Sequence, residues 1–156
     1  MRATSTRTWR RVLAVTGATA AALALTSCTP DTTRERVQED VASTFVNSYK
    51  TSLALQRKPV KAPTMSSTEC HSSVNKTADS GPGAWGCELK YVDPKGKKHD
   101  DFFVVLIDSL ACYQAFNGDN RDATIVDKAT GATVPDPAVG FDGCYDVYDS
   151  RTNTAK

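Results

Sequence analysis

Five cysteines govern what this chain can fold into, and they fall into two groups. Cys28 closes an apolar run, whereas Cys70, Cys87, Cys112 and Cys144 are spread over the polar remainder. None of these four belongs to a Cys-x-x-Cys pair, which speaks against a thioredoxin-like redox motif and against a zinc knuckle, whose ligands come in close pairs. An even set in an oxidising compartment forms two disulfides, with three connectivities open. Short-range pairing, Cys70 with Cys87 and Cys112 with Cys144, would staple each half of the domain and is the expected arrangement. In the chain-entropy model each such loop contributes about 3 to 4 kcal/mol, a large share of a small domain's stability.

The oxidising compartment is read from the first residues. Arg2, Arg7, Arg10 and Arg11 precede an apolar stretch from Val12 to Leu25, small residues follow, and the first acidic residue is Asp31. That is the order of an export signal. The apolar stretch is 14 residues long and is diluted by Thr16, Gly17 and Thr19, short of the roughly 20 residues a bilayer-spanning helix needs. Its end, Leu25-Thr26-Ser27-Cys28, resembles the lipobox of bacterial lipoproteins. The resemblance covers residues 1–28 and implies that the Cys28 thiol receives a diacylglycerol, with cleavage leaving Cys28 at the new N-terminus. Two acyl chains hold a protein stably on a bilayer where one holds it marginally. "WRRVLA" also resembles part of a twin-arginine signal, with Trp9 at the expected polar position, so the export route stays open.

The expected organisation is a signal peptide at 1–27, a lipidated cysteine and short tether at 28–32, one domain at 33–148 and a flexible tail at 149–156. Cleavage removes four of the 19 basic residues and none of the 18 acidic ones, leaving a net charge of about −3. A nucleic-acid partner is not expected, because such domains carry a concentrated basic face. The 129 residues from Cys28 to Lys156 suffice for one core.

Thr32 followed by Glu35 fits a helix capping box, and the helix should run to about Leu55. Val37, Val41, Phe45, Val46, Tyr49 and Leu53 fall on one side of it at 3.6 residues per turn, opposite Glu39, Asp40, Ser43, Asn47 and Lys50. "QRKPVKAPT" ends it and leads into a polar connection through "SST". The period then changes to two. Trp85, Cys87, Leu89 and Tyr91 alternate with Gly86, Glu88 and Lys90 as in a half-buried strand. "DPKGKKHD" is turn chemistry, and Phe102 to Ile107 reads as a strand buried on both faces, completing a hairpin. A third strand is expected around Cys112, Tyr113 and Phe116. A fourth is placed at Thr124 to Val126, continuing across "KATGAT" to Val134, and a short last one at Tyr145 to Tyr148. The fold class is therefore α+β, one amphipathic helix on an antiparallel sheet of four or five strands with two disulfides. In element order this outline is similar to cystatin-like folds.

Residues able to carry chemistry are few. His71 and His99 are the only histidines and both sit in polar, turn-like surroundings. His99 beside Asp100 and Asp101 reads first as a solvated hairpin shoulder, and His71 adjoins a cysteine that a disulfide would withdraw from coordination. Asn117, Asp119 and Asp122 offer oxygen ligands, but the glycine and bidentate glutamate of a calcium loop are absent at the required positions. "GPG" at 81–83 is followed by no Gly-Lys-Thr, and there is no Gly-x-Ser-x-Gly elbow. The aromatics Trp85, Tyr91, Tyr113, Tyr145 and Tyr148 are expected in the core rather than on a glycan or peptide surface. No catalytic residue, metal site or cofactor is assigned. The expected role is a non-enzymatic module, anchored through Cys28 on the extracytoplasmic face of the cell membrane and binding an envelope protein or a lipid-linked precursor. The alternative is a lipid-anchored hydrolase or metal-dependent enzyme using His71, His99 and nearby aspartates. Only about four residues separate the lipid from the helix, a reach of about 15 Å, which places the target near the membrane.

Overall fold

The computed structural model describes residues 32–74 and 79–145. One helix, α1 (Arg34–Leu55), lies across a five-stranded antiparallel sheet. The strands are β1 (Thr64–Ser72), β2 (Gly83–Val92), β3 (Lys98–Ile107), β4 (Cys112–Asn117), β5 (Thr124–Val126), β6 (Thr133–Pro135) and β7 (Gly140–Cys144). The sheet order is β1-β2-β3-β4-β7, with β5 and β6 forming a separate two-stranded ribbon. Among the described residues no helix is long and apolar enough to cross a membrane.

The helix is capped by Thr33, not Thr32: the Thr33 hydroxyl accepts from the Arg36 amide at 3.4 Å. Thr32 is withdrawn from capping because it is buried and its carbonyl accepts from the Gly81 amide at 2.9 Å, while Thr33 bridges to Ser80. With the cap shifted by one, the reciprocal glutamate falls out of register, and Glu35 instead sits in the first turn, where a negative charge faces the positive end of the helix dipole. Val37, Val41 and Phe45 are buried against the sheet, with Val46 and Tyr49 packed at the margin. Phe45 anchors an aromatic cluster, its ring centroid 4.9 Å from Tyr91 and 5.7 Å from Phe103.

On the sheet's inner face Trp85, Cys87, Leu89 and Tyr91 are buried, the expected alternation of β2. Both disulfides take the short-range pairing. Cys70–Cys87 joins directly opposed residues of β1 and β2 on the core side, and Cys112–Cys144 joins directly opposed residues of β4 and β7. The β2–β3 turn is held by Asp93, whose carboxylate accepts from the amides of Lys95 and Lys97 at 2.8 and 2.9 Å, while Gly96 (φ 85°) supplies the left-handed residue.

Four expectations need correction. The polar "SST" connection is part of β1, an edge strand whose Thr64, Ser66, Glu69 and His71 face solvent and whose period is broken by a register shift between Met65 and Ser67. β3 is buried on one face only, with Phe102 51% and Leu106 45% exposed, because α1 covers the inner side alone. "KATGAT" does not continue a strand; it turns the β5–β6 hairpin, with Gly131 at φ 76°. The last strand of the sheet is Gly140–Cys144, ending before Tyr145, and Tyr148 and the 149–156 tail lie outside the described residues.

Candidate functional site

The two ends of the sheet differ. Bonding of Thr32 to Gly81 sets the helix N-terminus beside the β1–β2 connection, and the register Gly83↔Ile107↔Tyr113 places the β3–β4 turn at that same end. Here stand the two most exposed large apolar residues, Leu110 (76%) and Val74 (71%). The opposite end carries the β2–β3 turn and the segment following α1.

Between these ends, no helix or strand of the described residues covers the face of the sheet turned away from α1. Strand alternation puts Phe102, Val104 and Leu106 of β3 on it. The register sets Val104 between Gly86 and Phe116, and Leu106 between Ala84 and Gln114. These residues form one apolar stripe across three strands. The Phe102 ring lies over Gly86: a Cβ at Gly86 would come within 2.9 Å of it. The Arg121 guanidinium sits 4.7 Å above the Phe116 ring, a cation–π contact. At the stripe's edge Lys90 is paired with Glu88 at 2.9 Å and lies 3.9 Å from Asp100. Clefts flank the stripe on both sides, one of about 540 Å³ between His71, Asp79 and Phe102, the other of about 430 Å³ between Leu106, Gln114 and Asp142. An apolar centre with an aromatic and an arginine, bounded by charged pairs, is the composition of a protein-binding surface.

The histidines are not brought together. His71 pairs across the sheet with Gly86 and His99 with Tyr91, positions five residues apart along β2 and on opposite faces, so about 17 Å separates them along the strand. His71 Nδ1 is 3.2 Å from Asp79, whose carboxylate also receives Arg34 and the Ser72 amide. His99 stacks on Tyr91 with centroids 4.8 Å apart, and its Nε2 is 3.2 Å from Asp93. Backbone amides, with His99 adding to them, hold the Asp93 carboxyl below its usual range. Tyr91 donates to Asp101 at 2.7 Å, and burial, reinforced by that carboxylate, pushes its phenol well above the ordinary tyrosine range. His99 is thus half-buried and built into the hairpin rather than a solvated shoulder. Each imidazole has one carboxylate partner, and among the described residues no hydroxyl or thiol is bonded to either, so neither forms a nucleophile–base pair.

Asn117 spends its side-chain oxygen on the amides of Asp119 and Asn120, making the "NGDNRD" stretch a turn. Among the described residues no three His, Cys, Asp or Glu side chains converge as metal ligands. Trp85, Tyr91, Tyr113 and Tyr145 are in the core as expected. Cys28 lies outside the described residues. Sequence reading missed the stripe itself. Its signal was present in the partners: β2 turns Gly86, Glu88 and Lys90 outward, and a β3 buried on both faces would have needed apolar residues at those positions. No family model, curated protein or solved structure matches this chain.

Proposed function

We propose that the chain is a lipid-anchored extracytoplasmic binding module, held on a bacterial membrane through acylated Cys28, which docks a protein of the cell envelope on the uncovered face of its sheet. The observation that carries this reading is the stripe of Phe102, Val104, Leu106 and Phe116 on a face that no element of the described residues covers. Two further features support it. The two disulfides fit an oxidising compartment. The helix N-terminus, about four residues from Cys28, shares its end of the molecule with Leu110 and Val74, apolar side chains suited to a bilayer-facing end. An enzyme that used His71 and His99 in one site has no support in this geometry.

The anchor is tested by feeding cells labelled fatty acid. Label on the wild-type chain and none on Cys28→Ala is expected, and equal labelling of the two would refute the anchor. The docking face is tested by Phe102→Asp with Leu106→Asp. Both side chains are half-exposed and the buried face of β3 is untouched, so the variant should fold with a thermal midpoint lowered by a few degrees, the new carboxylate at position 102 standing across from Glu88, while the partner recovered with the wild-type chain after crosslinking in whole cells should be lost. Unchanged recovery would exclude this face.

A further inference from the structure

The end of the molecule opposite the helix N-terminus holds a second feature, a cleft of about 470 Å³ between the segment after α1 and the β2–β3 turn. Its walls are Tyr49, Leu53, Pro59 and Pro94, and its charges are Lys58, Lys61, Lys95 and Asp93. Asp93 is largely committed inward: its carboxylate accepts from two backbone amides and faces His99. The three lysines are not so committed. Among the described residues the Lys58 ammonium bonds to the neutral side chain of Gln56, and none of Lys58, Lys61 and Lys95 has a carboxylate at ion-pair distance. Further cations stand at this same end. Lys97 and Lys98 lie on the hairpin, Arg57 follows α1, and Lys128 is tied there by its amide, which donates to the Leu55 carbonyl at 2.8 Å. Seven of the 15 basic residues that follow Cys28 therefore stand at one end, where the nearby carboxylates are Asp93, Asp136 and Asp127, the last facing Arg57. Three lysines without a carboxylate partner around one preformed cleft leave it a positive rim, which an anion lying between them would match.

We infer that this cleft binds a polyol-phosphate chain, the lysines meeting its phosphates and Tyr49, Leu53 and the two prolines meeting the C–H groups between them. Lysine serves as a point charge for phosphate, and three lysines around one open cleft can meet more than one phosphate of a chain. The site lies one helix length from the start of α1, about 33 Å for 22 residues. Its direction away from the bilayer rests on the anchoring of Cys28 proposed above, whereas its affinity does not.

The test uses the full mature chain in detergent and its Cys28→Ala form, titrated against poly(glycerol phosphate), with dextran as the neutral chain, inorganic phosphate, single-stranded DNA and phosphatidylglycerol vesicles as comparisons. Binding of poly(glycerol phosphate) by both forms, weakening as salt rises, with none to dextran, is expected. Lys61→Ala with Lys95→Ala should weaken it about tenfold, and Arg36→Ala with Lys50→Ala, an equal loss of charge on α1, less than about twofold. Both variants should keep the parent's thermal midpoint. Loss on Cys28→Ala alone would trace the binding to the anchor and overturn the assignment. So would equal loss in the two double variants, tighter binding to DNA or vesicles than to the polymer, or no binding of the polymer at millimolar phosphate.

Discussion

Tyr113 connects the sheet to the helix and does so through a glycine. Its hydroxyl donates to the Asp40 carbonyl oxygen at 3.2 Å and shares a 2.8 Å hydrogen bond with the Thr44 hydroxyl. The ring reaches that position by lying against Gly143, its cross-strand partner, where a Cβ would stand 2.7 Å from the phenol oxygen. Gly143→Ala should therefore displace the ring and destabilise the domain by about 1 to 3 kcal/mol in denaturant unfolding. Gly140→Ala, in the same strand with open space around it, should change stability by less than about 0.5 kcal/mol. Beside this junction burial pushes the Asp40 carboxyl up from 3.8 to about 6, with Glu39 adding to the rise and Arg36 opposing it. The folded state thus holds a proton that the unfolded state has released. From this group the stability is greatest below about pH 4 and falls as pH rises to about 6. Asp40→Asn should flatten that part of the stability–pH curve and raise stability at pH 7 by about 1 kcal/mol, a figure reduced for the solvent screening of a half-buried group. A steeper fall in the variant would contradict the assignment.

Elements were legible where one period ran unbroken. α1 shows its buried Val37, Val41 and Phe45 at helical spacing, and β2 alternates from Trp85 to Tyr91, because each has one face against the core and one toward solvent. β1 was hidden because its edge position permits a polar sequence and its irregularity near Ser66 shifts the period. β7 was hidden because Gly140 and Gly143 depress any strand signal, and one of these glycines exists to admit Tyr113. The opposite error, reading "FFVVLI" as buried on both faces, arose because an exposed apolar face and a buried one look alike in a single strand. The disulfides differ in the same way as the two faces. Cys70 and Cys87 are fully buried, whereas Cys112–Cys144 is on the outer face, with Cys144 exposed. Since thiol–disulfide exchange needs access to a sulfur, mild dithiothreitol without denaturant should release two thiols first, and peptide mapping should place them at Cys112 and Cys144. Thiols appearing first at Cys70 and Cys87 would contradict the order of burial. Loss of the outer bridge, which spans 32 residues, should lower stability by about 4 kcal/mol, against about 3 for the inner bridge spanning 17.

At the scale of the molecule the fold separates three surfaces that the linear sequence interleaves. Leu110 and Val74 share one end with the start of α1, the lysine cleft occupies the other, and the apolar stripe runs between them on the face away from the helix. None of the three was legible in the sequence, because each joins segments brought together only by sheet register: Phe102 and Leu106 with Phe116, Lys58 and Lys61 with Lys95. The lipobox-like motif ending at Cys28 is by contrast a local pattern, and it lies outside the described residues. Under the anchoring proposed above, the length of α1 would set the stripe alongside the membrane, within reach of a membrane protein's exposed domain. Site-specific photocrosslinking in whole cells tests this most directly, with the reactive side chain placed at Leu106 on the stripe or at Asn47 on the exposed back of α1. A discrete protein adduct from Leu106, absent from Asn47 and abolished by Phe102→Asp, is the expected result. Equal adducts from both positions, or none from Leu106, would contradict the docking of a partner on this face.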